Sequence, residues 1–304
     1  MTVGVVHGDT RRALLLMAGA VALFALMDAG LKLLAPHYPP LQVGALRGLS
    51  SLPLILVWIM ATVGPRSLLR VRWSLHLLRA VLGIAMMAGF VYGLRSLPLT
   101  TAYAITFVAP LLVTAMAVPF LGEKVGPRRW FAIGVGLVGV LVILRPTGEG
   151  MLTLGGLAVL LAAVCYAASA ITVRLLARTD STQAMVFWLM ALMALGSALL
   201  VWRDWRPIQP AHLWIIAGVG VAGSLAQVAL TEAFRRGEAS LVAPLEYTAL
   251  VWGTLLDVTL WGVLPDRVTW IGAAIIVASG LYLLRRERGQ SGEAASAPAD
   301  SLHP

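Results

Sequence analysis

Charge is scarce in this chain. Asp, Glu, Lys and Arg make up 12% of its 304 residues, about half the share of a soluble globular domain. With 59% hydrophobic residues and a mean hydropathy of +0.87, a soluble globule and a disordered chain are both excluded. Cysteine is nearly absent. Cys165 is the one thiol, and a lone thiol inside an apolar run supports neither a disulfide framework nor a metal cluster. Catalytic signatures are missing too: there is no H-E-x-x-H, no G-x-S-x-G and no Walker loop. The five histidines sit in the tails (His7, His303) or at the ends of apolar runs (His37, His76, His212). Without a nucleotide loop the chain does not hydrolyse ATP to drive its own work. No cofactor and no metal is expected.

Long apolar runs are abundant. A membrane-spanning helix needs about 20 apolar residues, and ten runs qualify: residues 13–34, 40–62, 75–94, 100–121, 128–145, 152–174, 184–202, 212–234, 240–262 and 268–284. The runs are continuous, whereas strands of a transmembrane barrel alternate in polarity. The formal charge of +9 does not point to nucleic acid, because the positive residues fall where topology signals fall. With the N-terminus inside, sixteen of the 23 Lys and Arg residues lie on the cytoplasmic side and five on the outer side. Lys32 and Arg47 fall within spans. The bias places both termini in the cytoplasm.

The second half faintly repeats the first. A shift of 140 lays Arg95 on Arg235, Thr114 on Thr254, Gly122 on Gly262 and Trp130 on Trp270, and a shift of 142 lays Phe24 and Lys32-Leu33-Leu34-Ala35 on Tyr166 and Arg174-Leu175-Leu176-Ala177. Five spans per copy, an odd number, force the copies into opposite orientations, the inverted-repeat plan of carriers. The loop Gly122-Glu123-Lys124-Val125-Gly126-Pro127-Arg128-Arg129 is basic and its partner Gly262–Arg267 is nearly neutral, as opposite sides require. The fold expected is an all-α integral membrane protein: ten transmembrane helices as two inverted five-helix repeats around a central cavity. Residues 1–12 form a cytoplasmic segment, 13–147 the first repeat, 148–286 the second, and 287–304 a disordered cytoplasmic tail. The first run resembles a signal peptide in its flanking arginines, but its length, its Asp28 and Lys32 and its partner in span six favour retention.

Charges inside spans cost a few kcal/mol each at mid-bilayer, so each needs a reason. Asp28 and Lys32 lie four apart, on one face of span one. They are read as a polar cavity wall or ion-pair gate, or else as a self-satisfied pair near the outer end. In span four Tyr103, Thr106, Pro110 and Thr114 form one helical stripe, and Pro110 is expected to kink the helix. The stripe suits a water-lined cavity or a helix–helix contact. The matching stripe in span nine is Ala243, Glu246, Leu250, Thr254 and Asp257. Glu246 is the leading candidate to bind a substrate ammonium group or a proton. The alternative pairs both carboxylates with arginines near the span ends. Ser224, Gln227 and Thr231 make a third stripe, in span eight. Arg47 and Arg79 are candidate anion-binding groups, Arg79 more simply a topology charge. Trp58, Trp188, Trp252 and Trp261 read as core or interfacial residues.

These residues resemble the drug/metabolite transporter superfamily, specifically its EamA-type ten-helix carriers. The resemblance covers nearly the whole chain. It rests on Phe24, Asp28 and Lys32, on Arg47-Gly48, on His76, Arg79 and Gly83, and on Ala102, Thr106-Phe107, Pro110 and Pro119-Phe120-Leu121-Gly122-Glu123-Lys124. Pro244-Leu245-Glu246-Tyr247 and Leu264-Pro265-Asp266 through Ala278-Ser279-Gly280 complete it. The resemblance implies a cavity walled by spans three, four, eight and nine. It is closest to bacterial inner-membrane members carrying S-adenosylmethionine or amino-acid-type metabolites. The second copy departs from the pattern, with Val263 for Glu123 and Leu250 for Pro110.

The function expected is secondary active transport of a small polar metabolite, amino-acid-like, zwitterionic or S-adenosylmethionine-like, by alternating access. Glu246, Tyr103, Thr106, Pro110, Thr114, Thr254, Gln227, Ser224 and Arg47 would line the cavity. Asp28, Lys32 and Asp257 would pair or gate. A broad-specificity exporter and a membrane-embedded enzyme acting on lipid are the alternatives. The partners expected are the lipid bilayer, a small-molecule substrate and a coupling proton. The plan also allows a homodimer and leaves no role for nucleic acid.

Overall fold

The structure is a computed structural model that describes residues 3–69, 71–122, 126–144, 153–176, 178–236 and 243–296. Among them there is no strand. The helices are α1 (Val3–Leu34), α2 (Pro40–Thr62), α3 (Trp73–Leu94), α4 (Leu99–Thr106), α5 (Ala109–Leu121), α6 (Pro127–Leu144), α7 (Leu154–Leu176), α8 (Thr182–Val201), α9 (Leu213–Arg236), α10 (Ala249–Trp261) and α11 (Arg267–Ser296). Seven segments are long and apolar enough to cross a membrane, with α4 and α5 together forming one of them, and Trp130–Ile143 and Arg267–Ser279 are shorter apolar helices. α1 starts well before residue 13. α11 continues through Ser296, into the segment expected to be tail.

Local chemistry sets the helix ends. Pro40 opens α2, where its missing N–H costs nothing. The Ser181 hydroxyl accepts from the Ala184 N–H at 3.2 Å and caps α8. Asp266 Oδ1 accepts from the Thr269 N–H at 3.0 Å and caps α11. α5 and α10 both end on a glycine in the left-handed region, Gly122 at φ 70° and Gly262 at φ 66°, a conformation that costs other residues 1–2 kcal/mol.

The fourth span of each repeat is discontinuous. α4 ends at Thr106, the chain turns through Phe107 and Val108, and α5 begins with Pro110 in its first turn. In the second repeat a 3-10 turn over Ala243–Thr248 precedes α10. Residues 240–242 of the expected span nine lie outside the described residues. α5 and α10 are each thirteen residues long and start 140 apart, the shift found in the sequence. The residues before them, Val108 (φ −67°, ψ −19°) and Thr248 (φ −64°, ψ −14°), have nearly the same backbone. Leu250 stands where the first copy has Pro110, yet the break is present in both copies. This corrects one expectation: span nine is not one α-helix, so Glu246 does not belong to the helical stripe of Leu250, Thr254 and Asp257.

Helix packing follows the repeat. α1 packs on α9 and α3 on α7; α2 packs on α8, α6 on α11 and α4 on α10. Exchanging the two repeats maps this set of contacts onto itself, as a twofold relation requires. α2 on α9 and α3 on α8 form another exchanged pair, as do α5 on α7 and α10 on α1. Lipid supplies no hydrophobic drive between helices, so close backbone approach has to supply the packing. At the α3–α7 crossing a Cβ on Gly89 would fall 2.6 Å from the Ala158 carbonyl oxygen. The apolar surface left outside, including Leu49, Leu56, Val57 and Met60 of α2, is the lipid-facing belt.

Candidate functional site

The most heavily bonded side chain of the site belongs to Asp257, on the last turn but one of α10 and fully buried. Its Oδ1 accepts from Lys32 Nζ at 2.8 Å and from the Leu99 N–H at 3.0 Å. Its Oδ2 accepts from the Thr100 N–H at 2.9 Å and the Thr100 hydroxyl at 3.0 Å. A carboxylate of the second repeat thus caps the N-terminus of α4 in the first, where the helix dipole favours negative charge. The Lys32 ammonium lies 4.1 Å from the centroid of Trp261, adding a cation–π contact. Thr254 joins this seam: its Oγ1 is 3.2 Å from Thr100 Oγ1 and donates to the Leu250 carbonyl at 2.8 Å. Lys32 is therefore paired across the repeats and not with Asp28, its neighbour on α1.

Asp28 belongs to a second cluster. Its Oδ2 accepts from the Tyr103 hydroxyl at 2.9 Å, and it is 9% exposed and Tyr103 6%. Arg47 of α2 is electrostatically coupled to Asp28, but no oxygen of Asp28 lies within ion-pair distance of its guanidinium among the described residues. Its one hydrogen-bond contact there is Nη1 to Met87 Sδ at 3.8 Å, a weak acceptor.

Glu246 occupies the 3-10 turn, half-buried, with Tyr166 and Tyr247 in electrostatic reach. Tyr247 stacks edge-on to Phe107 at 5.0 Å, so the two helix breaks touch. Tyr166 also feels Arg79, whose Nη1 donates to the Met185 carbonyl at 2.8 Å. Among the other expected cavity residues, Thr106 is half-buried and donates to the Tyr103 carbonyl at 2.9 Å. Ser224 is buried, and its hydroxyl donates to the Ser51 carbonyl at 3.3 Å, a contact between α9 and α2. Gln227 and Thr114 are half-buried. Glu123 and the side chain of Pro110 lie outside what the structure describes.

Both ends of the bundle carry polar ties that the sequence did not reveal. At the Lys32 end, Arg95 donates to the Ala35 and Tyr38 carbonyls, each at 2.9 Å. Gln42 donates to the Arg206 carbonyl at 2.7 Å and accepts from its N–H at 2.9 Å. At the opposite end His76 Nε2 lies 2.8 Å from Asp180 Oδ2, which also accepts from the Arg72 N–H at 3.1 Å. Burial pushes the Asp180 carboxyl up, but its hydrogen bonds with Thr179, His76 and Arg72 prevail and hold it below the usual carboxylate range.

The sequence matches the EamA-like transporter family over residues 11–145 and again over 153–285. The chain belongs to the EamA-like transporter family. It is 27% identical over 88% of its length to the pseudopaline exporter of Pseudomonas aeruginosa, covering 93% of that protein. It is 31% identical to the riboflavin transporter of Vibrio cholerae, over 76% of this chain and 78% of that one. An S-adenosylmethionine uptake transporter of Rickettsia bellii is 30% identical over 77% and 80% of the two chains. A protein of known crystal structure superposes with a TM-score of 0.62 at 22% identity, over 90% of this chain and 98% of that one, a likeness of fold. This EamA-like protein is thus a multi-pass membrane transporter of small metabolites and not an enzyme. The lipid-acting enzyme weighed from sequence is set aside.

Proposed function

We propose that this EamA-like chain is a secondary active transporter that moves a small polar metabolite by alternating access. The reading rests on the paired helix breaks. Discontinuous helices at equivalent depth in two inverted repeats are where carriers typically bind substrate, and broken backbone is tolerated in the bilayer only where it is buried in protein or lines a cavity. In this chain the breaks meet at Phe107 and Tyr247, and Glu246 sits in one of them. A half-buried carboxylate there suits a cationic group or a coupling proton. The relatives include an exporter and uptake transporters, so direction differs within the family.

The test is flux into proteoliposomes with an imposed gradient, using S-adenosylmethionine, riboflavin and the amino acids as probes. Glu246→Gln keeps the shape of the side chain and removes its charge. It is expected to lower flux of the transported probe at least tenfold while the protein elutes as a monodisperse peak. Unchanged flux with an unchanged pH profile would remove Glu246 from the site.

A further inference from the structure

Arg47 and Asp28 are opposite charges in one cluster, yet they are not closed on each other. Arg47 is seven residues into α2 and Asp28 six residues from the end of α1, so both sit roughly 10 Å inside the helix ends at 1.5 Å per residue. At that depth an arginine is costly unless it has an anion or water to meet. Its contact among the described residues is the Met87 thioether. Asp28 has one oxygen bonded, Oδ2 to Tyr103, and among the described residues no donor reaches Oδ1. At 100° per residue Arg47 lies on the far side of α2 from exposed Leu49, Leu56 and Met60, while Leu54, seven residues on and also exposed, shares its side. Arg47 keeps part of its surface open nonetheless.

We propose that Arg47 and Asp28 form a split head-group site for an α-amino acid moiety. The substrate carboxylate takes the Arg47 fork, and its ammonium takes the free oxygen of Asp28, with Tyr103 holding the other. A zwitterion brings both missing partners in one molecule, so each buried charge gains a counter-charge and the net charge of the site is unchanged. The site is present once. The positions that match Asp28 and Arg47 at the shift of 142 are Ala170 and Leu189, so one repeat holds the head group. The inference deepens the transport reading by naming the substrate class, and it leaves Glu246 for a further positive group of the substrate or for a proton.

The experiment is a thermal-stability screen of the full-length protein in detergent. The probes are the twenty amino acids and S-adenosylmethionine, each zwitterion paired with a form lacking one charge (the α-amide or the N-acetyl derivative), plus riboflavin, which has neither group. A bound ligand raises apparent stability by mass action. At least one zwitterion is expected to raise the melting temperature of the wild type, and its amide and N-acetyl forms are not. Asp28→Asn and Arg47→Gln should each abolish the shift. Should either variant fold poorly, Tyr103→Phe keeps the ring and is expected to weaken the same ligand about tenfold, the worth of one lost hydrogen bond to a charged group. Equal stabilisation by singly charged forms, or by riboflavin, would overturn the proposal. So would a shift that survives Asp28→Asn and Arg47→Gln, or no response to any zwitterion. A zwitterion that binds as described but is not moved across proteoliposomes would uphold the site and refute the transport reading.

Discussion

At the residue scale, the ion pair of Lys32 and Asp257 is the costliest polar feature to disturb. Asp257 is fully buried and accepts four hydrogen bonds. Removing one partner of such a pair leaves an uncompensated charge and costs about 3–5 kcal/mol, whereas replacing both with apolar groups is often neutral. Asp257→Asn and Lys32→Met are each expected to lower the apparent melting temperature in detergent by roughly 5–15 °C. The double variant Lys32→Met with Asp257→Leu should lose less than the sum of the two. Strict additivity would show that the two side chains are not coupled. That these residues matter was legible, because charges in apolar runs need reasons. Their partners were not. Asp28 and Lys32 are four apart on α1, and spacing alone suggests that they face one another. The preference of Lys32 for Asp257 depends on how α1, α4 and α10 come together, and a one-dimensional pattern does not encode that. Thr100 escaped notice for the same reason: a threonine in a helix's first turn carries no sign that a carboxylate from the other repeat will reach it.

At the element scale, the spans and their ends were largely readable. Apolar length places most helices within a few residues. The glycines matched by the shift of 140, Gly122 and Gly262, prove to be left-handed caps of α5 and α10. The breaks were only half readable. Pro110 marks the first, but its partner Leu250 gives no hint of the second, and the nearest proline, Pro244, lies six residues earlier. Since α10 begins where α5 does without a proline at that position, packing and not proline chemistry fixes the break. Pro110→Ala is therefore expected to leave the break in place. Spin labels at positions 101 and 115 should report the same mean distance, within about 2 Å, in Pro110→Ala and in the parent. A shift toward the spacing of a straight helix, about 1.5 Å per residue, would assign the break to the proline.

At the scale of the whole molecule, the repeat read from a handful of matched residues is visible in the packing. The largest helix contacts between the repeats have exchanged mates: α1 on α9 with α3 on α7, and α2 on α9 with α3 on α8. The polar groups do not obey that exchange. Asp28, Arg47 and Glu246 each lack a charged mate in the other repeat, where Ala170, Leu189 and Thr106 stand. On the proposed reading, near-symmetric packing would give the scaffold two related arrangements, and the charges without a mate would select the substrate. The central claim is that the chain works as a carrier by alternating access. Counterflow tests it most directly. Proteoliposomes are preloaded with the unlabelled zwitterion selected by the stability screen, and entry of the labelled compound is followed with no net gradient. A carrier predicts transient accumulation above the outside level, faster than in empty vesicles. Equal entry into loaded and empty vesicles, with no overshoot, would contradict the account and indicate an open pore.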